Sequence, residues 1–278
     1  MSITTPCVYS LASGSRANCT LVSDGHTHIL IDLGVSVRYL CSALKEIGIS
    51  PESISALFIT HEHSDHVAGL KTFVKKYNIP IHITEPSYLA FIRGGGFEMR
   101  DRLTVHESLE FTETVGNITV KSLHVPHDSA ACVAYKVTGE GLSLGICTDV
   151  GKPSDTLFEF FSDCRDVITE ANHDVIMLKC GIYPDSLKYR ILSDCGHTSN
   201  DSCADFVVRL VKAGVKNVLL SHISPENNTP ELALFCVKEA LKRAGVSLNY
   251  IGAAPRLECI KFPPDGRQPG GYPVSAEI

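Results

Sequence analysis

Ala56-Leu57-Phe58-Ile59-Thr60-His61-Glu62-His63-Ser64-Asp65-His66 is the stretch on which the reading of the chain turns. Its first residues form a short, solid apolar run of the kind that fills a buried strand, and four metal-ligating residues follow within the next six positions. Val67, Leu70, Val74 and Tyr77 then recur at helical spacing, which puts residues 61–66 at a strand-to-helix junction. In an extended turn, residues two apart point to the same side. His61 and His63 can therefore converge on one metal ion, while Asp65 and His66 open the next helix and can face a second. Imidazole mixed with carboxylate suits Zn²⁺, Mn²⁺ or Fe²⁺ and argues against a structural Cys-type zinc site.

Upstream, residues 7–11, 19–22 and 28–31 are short β-rich segments parted by Ser13-Gly14-Ser15 and Asp24-Gly25, a pattern that predicts sequential antiparallel strands. Val37, Leu40, Leu44 and Ile47 before Gly48 predict an amphipathic helix over 36–47. Downstream, a second β-rich block covers 79–84, 117–125, 131–137, 142–147 and 166–169. Its apolar residues alternate or form short runs, as expected of sheets packed face to face beneath helices. The closing third reads as α/β: a helix over 200–213 ending at Gly214, a buried strand at 218–221, and a helix over 230–244. Thr229 caps that last helix, Pro230 is in its first turn and Gly245 lies beyond its end. With no repeat and no linker, one domain is expected over residues 1–262, and the Pro- and Gly-rich 263–278 is expected to be a loose tail.

The 278 residues are 44% hydrophobic and 20% charged, a composition that folds and lacks the signature of disorder. Lys and Arg number 25 against 31 Asp and Glu, a net charge of −6. That balance excludes a broad basic coat for nucleic acid and leaves room only for a focused positive site. The 11 cysteines are odd in number and include no C-x-x-C pair, which argues against a disulfide framework. Residues 1–6 carry no basic or apolar leader pattern, and no run of about 18 apolar residues follows. The expectation is a soluble cytoplasmic protein with reduced thiols and no membrane partner.

The spacing His61-x-His63-x-Asp65-His66 resembles the H-x-H-x-D-H signature of the metallo-β-lactamase fold. The resemblance implies an α/β architecture, a four-layer αββα sandwich, with a two-metal hydrolytic site at one edge and three further ligands downstream. His127 follows the strand ending Leu123-His124-Val125-Pro126, Asp149 follows the strand at 144–147, and His222 ends the strand at 218–221. Each lies at a strand end, where loops place functional groups on a rigid scaffold. The implied assignment puts His61, His63 and His127 on one metal ion and Asp65, His66 and His222 on the other, with Asp149 bridging. His124 is the rival of His127; His127 is preferred because His124 still lies in the strand and His127 in the turn after it.

Longer matches narrow the resemblance. Leu11-Ala12-Ser13-Gly14-Ser15-Arg16-Ala17-Asn18-Cys19, Thr169-Glu170-Ala171-Asn172-His173-Asp174, Gly196-His197-Thr198-Ser199-Asn200 and Ser221-His222-Ile223-Ser224-Pro225-Glu226-Asn227-Asn228 resemble the YycJ (WalJ) group. That group is described as 5′-to-3′ exonuclease-like, and the resemblance runs from residue 7 to 260. The chain has no inserted β-CASP domain and no long exosite arm of the tRNase Z kind, and Ala17 stands where the group usually has Gly. The resemblance implies a phosphodiesterase acting on nucleic acid, DNA before RNA, with two divalent metal ions. Zn²⁺ or Mn²⁺ is the expected metal, and Fe²⁺ is a further candidate.

Within that frame three residues are read as catalytic: Asp65 orients or deprotonates the attacking water, His197 protonates the leaving alkoxide, and Glu170 holds His197. Ser13, Ser15 and Asn18, in a Gly-containing turn that exposes its amides, are candidates for binding a substrate phosphate; His173 is a weaker supporting candidate. Two divalent ions add about +4 against −2 from Asp65 and Asp149, so the cleft of an acidic chain can still attract phosphate. Rival readings are a hydrolase of a small or cyclic phosphodiester, or of a thioester or lactone, on the same fold. A di-iron redox protein is disfavoured by the intact His63, and the oligomeric state is left open.

Overall fold

The structure is a computed structural model that describes residues 5–98 and 102–265; residues 266–278, most of the expected tail, lie outside the described residues. In chain order the elements are β1 (Cys7–Ala12), β2 (Cys19–Ser23), β3 (His28–Ile31), α1 (Val37–Glu46), β4 (Ile54–Phe58), α2 (Ser64–Val67), α3 (Leu70–Lys76), β5 (Ile81–Thr84), α4 (Glu85–Arg93) and β6 (Leu103–His106). There follow β7 (Thr112–Val115), β8 (Ile118–Val125), β9 (Cys132–Gly139), β10 (Leu142–Cys147), α5 (Asp155–Phe161), β11 (Asp166–Glu170), α6 (Val175–Cys180) and α7 (Asp185–Leu192). The last elements are α8 (Asn200–Ala213), β12 (Asn217–Ser221), α9 (Pro230–Ala244), β13 (Tyr250–Ala253) and β14 (Ile260–Phe262).

Two seven-stranded sheets result, ordered β14-β1-β2-β3-β4-β5-β6 and β13-β12-β11-β10-β9-β8-β7. Each is antiparallel where tight turns join its strands, as in β1-β2-β3 and β7-β8-β9-β10. Each becomes parallel where helices make the connections, as in β3-β4-β5-β6 and β10-β11-β12-β13, because a parallel neighbour needs a crossover long enough to return to the starting edge. The segment at 79–84 was expected in the second β-block. It forms β5 of the first sheet instead, since α3 carries the chain back to lie parallel with β4.

Ile29, Phe58, Val120, Val133, Tyr135, Ile146 and Leu219 are buried between the sheets. On the outer face of the first sheet, Leu40 and Leu44 of α1 and Leu70 and Phe73 of α3 cover Leu57. On the other side, Phe206, Leu210 and Val237 of α8 and α9 cover Val167 and Val218. These three cores define the four-layer αββα sandwich. Helix ends follow local chemistry: the Ser199 and Thr229 side chains accept hydrogen bonds from Ser202 N and Leu232 N, and Gly245 closes α9 at φ 67°. The helical run from Val67 to Tyr77 is split in two at Gly69, where a Cβ would come within 2.3 Å of Val35 O.

Candidate metal centre

The ends of β4, β8, β10, β11 and β12 open at one edge of the sandwich, and the polar side chains collect there. Four overlapping groups have ligand atoms mutually within 4.8 Å: His61, His63 and His127; Asp65, His66 and His222; His61, His66 and Asp149; and Asp149, Glu170, His197 and His222. All seven residues of the sequence-derived ligand set therefore meet in one place. His127 Nε2 is 3.4 Å from His63 Nδ1. On the other side, His66 Nε2 and His222 Nε2 are 3.3 and 3.4 Å from Asp65 Oδ2. Asp149 lies between the two groups, with Oδ2 3.1 Å from His66 Nε2 and Oδ1 3.7 Å from His127 Nε2. His124 is exposed on β8 and takes no part.

Cations fit this donor set. His61 Nε2 and Asp149 Oδ2 are buried with no hydrogen-bond partner among the described residues, a costly state for lone pairs unless something positive meets them. The hydrogen bonds behind the cluster hold its imidazoles from their other ring nitrogen. His66 Nδ1 donates to Asp32 Oδ2 at 2.8 Å, His127 Nδ1 to Gly196 O at 3.1 Å and His222 Nδ1 to Glu170 Oε1 at 2.8 Å. Each bond turns Nε2 toward the centre, the usual way a supporting acceptor orients a metal-ligating imidazole. Thr60 Oγ1 donates to Asp32 and lies 3.0 Å from His61 Nδ1, so one hydroxyl joins two histidines' supports.

Asp32 and Thr60 were not anticipated from the sequence. The available signal was a carboxylate directly after the apolar strand Ile29-Leu30-Ile31 and two residues before Gly34. That glycine is obligatory, since a Cβ there would come within 1.6 Å of Asp65 O. Asp32 (φ 61°) and His222 (φ 52°) are the non-glycine residues with positive φ among the described residues. Left-handed backbone costs an ordinary residue about 1–2 kcal/mol, and both instances fall at this site.

Glu170 is fully buried and saturated. Oε1 accepts from His222 Nδ1 and from His197 Nδ1, both at 2.8 Å, and Oε2 accepts from Thr198 N at 2.9 Å and Val150 N at 3.2 Å. His197 Nδ1 also lies 3.7 Å from Asp149 Oδ1. Burial alone would lower the His197 pKa, but the Glu170 charge and hydrogen bond raise it above the ordinary range. The same contest raises His222 to about 10, where burial opposes and Asp149 prevails. Asp65 is held below the usual carboxylate range: burial opposes, and hydrogen bonds from His222 and His66 prevail.

The Gly-containing turn is placed differently from its three candidates' expected use. Ser13 is buried and its Oγ accepts from His222 N at 2.9 Å. Asn18 is buried too: its Oδ1 accepts from Gly14 N at 3.0 Å, and its Nδ2 donates to Gly14 O at 3.1 Å and lies 3.2 Å from Asp65 Oδ2. Both side chains support the cluster, and Ser15 is exposed. His173 is buried, with neither ring nitrogen partnered among the described residues.

The chain belongs to the metallo-beta-lactamase superfamily, whose family profile matches residues 13–222. The donor set and that membership together define a metal-dependent hydrolase that binds divalent cations. Among individual relatives, the chain is 35% identical over 243 residues to "Exodeoxyribonuclease WalJ" of Streptococcus pneumoniae, covering 86% of this chain and 90% of that one. It is 34% identical over 239 residues to "Exodeoxyribonuclease YycJ" of Bacillus anthracis, with the same coverage. Solved structures share the fold at low identity. Zn²⁺-bound PqqB from Methylobacterium extorquens matches at TM-score 0.68 and 15% identity, over 91% of this chain and 99% of that one. YhfI from Bacillus subtilis matches at 0.67 and 18%, over 92% and 99%.

Proposed function

We propose that this chain is an exonuclease that hydrolyses DNA phosphodiesters from the 5′ end, using two divalent ions, Zn²⁺ or Mn²⁺. The observation that carries the reading is the Glu170–His197 pair set 2.8 Å apart beside a complete seven-residue donor cluster. His61, His63 and His127 would hold one ion, Asp65, His66 and His222 the other, and Asp149 both. When bound, such ions supply Lewis acidity toward the phosphoryl oxygens and lower the pKa of water. Asp65 positions the attacking water. His197 keeps its proton through Glu170, and with Nδ1 so engaged it presents Nε2–H to the departing 3′ or 5′ oxygen.

Ser13 and Asn18 act through His222 and Asp65, and Ser15 remains the phosphate contact of the turn. The names of the 34–35% identical relatives support DNA as the substrate. The catalytic unit is one domain closing at residue 262. The 11 unpaired cysteines suit a reducing cytoplasm, and no helix among the described residues is long and apolar enough to cross a membrane.

The test is metal-reconstituted protein incubated with DNA and RNA, single- and double-stranded, labelled at either end. Stepwise loss from the 5′ end of DNA is the expected result. Hydrolysis of a small diester with no attack on any polymer would overturn the proposal.

A further inference from the structure

Beside the metal cluster runs a groove of about 450 Å³ that the mechanism above does not use. One wall is the start of α2 and the first turn of α3, carrying His63, Ser64 and Lys71; the other is the end of α4 and the glycine turn after it, carrying Phe91, Gly96 and Phe97. His63 belongs to both the groove and the donor cluster, so whatever lies in the groove adjoins the reacting phosphate.

The chemistry of the walls is mixed in a particular way. Phe91 and Phe97 are half-buried, their rings 5.5 Å apart at 77°, and they cap the outer core of the first sheet while still lining the groove. Gly96 lies against the Phe91 ring so closely that a Cβ would come within 2.6 Å of it, which leaves the turn no side chain to fill the space. Lys71 is exposed and makes no ion pair among those described, in a chain whose net charge is −6. Glu62, on the same wall, accepts from Ala130 N with Oε1 and leaves Oε2 unpartnered among the described residues. Aromatic faces, a cation and a hydrogen-bond acceptor within one groove match the three parts of a nucleotide: base, phosphate, and the amino or hydroxyl donors of base and sugar.

We infer that this groove is the nucleoside subsite of the enzyme, holding the base of the nucleotide next to the scissile phosphate against Phe97, with Lys71 on the neighbouring phosphate. The inference rests on the nuclease reading and adds to it a binding residue for the substrate.

The test compares three esters with one leaving group: thymidine carrying p-nitrophenyl phosphate on its 5′ oxygen, the same on its 3′ oxygen, and methyl p-nitrophenyl phosphate, which has no nucleoside. The metal-loaded wild type is expected to prefer one thymidine isomer in kcat/KM. Phe97→Ala should cut that preference by about 5- to 150-fold, the range for losing one base–aromatic stack. Phe97→Trp should restore it, which separates lost stacking from lost folding. Calorimetric titration with the dinucleotide pTpT, without added metal, should show weaker binding in Phe97→Ala and Lys71→Ala. A wild type with no nucleoside preference, or a preference and pTpT affinity unmoved by Phe97→Ala, overturns the subsite. Protein that hydrolyses the esters and ignores DNA overturns the nuclease reading; the pTpT titration then judges the groove by itself.

Discussion

Replacing His197 by Ala tests the proton-donor role most directly. The imidazole is tied to the structure through one bond, Nδ1–H to Glu170 Oε1 at 2.8 Å. When it is removed, Glu170 keeps His222 Nδ1, Thr198 N and Val150 N. Three donors suffice to hold a buried carboxylate charged, so His222 stays oriented and the donor cluster survives. The loss therefore falls on proton transfer, which for a positioned general acid is worth about 10²- to 10⁴-fold.

That loss depends on the leaving group. A nucleotide alkoxide needs a proton as the P–O bond breaks, whereas p-nitrophenolate departs as a stable anion. His197→Ala should cost DNA cleavage about 10²-fold or more and p-nitrophenyl diester hydrolysis less than about tenfold. Steady-state rates on both substrates, with metal content measured on the same samples, decide it. Because Glu170 raises the His197 pKa, the limb of activity that falls with rising pH should move to lower pH in Glu170→Gln. Equal losses on the two substrates would refute the donor assignment and leave His197 a structural residue.

Asp32→Asn leaves an amide that cannot accept from His66 Nδ1 and from the Thr60 backbone and hydroxyl together. Divalent-metal affinity should fall about 10- to 100-fold in a competitive chelator titration. Gly34→Ala would put a Cβ 1.6 Å from Asp65 O and 2.7 Å from Asn18 N; a loss beyond about 4 kcal/mol is expected in a thermal or urea melt. His82 is buried, stacked on Phe58 and 3.2 Å from His106, and burial lowers its pKa to about 4. The unfolded chain takes up this proton near its ordinary 6.5, so stability is whole above that value and declines as pH falls toward 4, by up to about 3 kcal/mol. His82→Gln removes a titrating group and should flatten that acid slope in urea denaturation at stepped pH.

What was legible in the sequence follows the range of the interactions involved. His61, His63, Asp65 and His66 declare themselves because four metal-ligating residues within six positions have few other uses. His127, Asp149 and His222 are legible only as strand-end residues in a known order, and the fold supplies their convergence. Asp32 escaped because its partner His66 lies 34 residues on, and an aspartate after a strand has many bland roles. Ser13 and Asn18 read as an open turn, since nothing local reveals that His222, 209 residues from Ser13, donates to that serine. The placement of β5 failed for a related reason: apolar runs mark a strand, but only the crossover through α3 decides its sheet. The short helices α4 to α7 carry too few turns for a periodic signal.

The net charge acquires a different meaning once the site is assembled. Asp32, Asp65, Asp149 and Glu170 all lie in or directly behind the donor cluster, three of them almost wholly buried. They contribute −4 to the formal −6, so the rest of the chain carries −6 + 4 = −2. Two divalent ions would offset those four carboxylates, and their positive field would be felt only near the cluster. DNA would then be attracted at the catalytic edge and, through Lys71, along the groove beside it, while the remaining surface offers it little. Such binding draws on few phosphates, and its salt dependence should be correspondingly shallow. An enzyme held to its substrate this way depends on the end of the strand reaching the centre more than on the length of strand behind it, which accords with removal of nucleotides from an end.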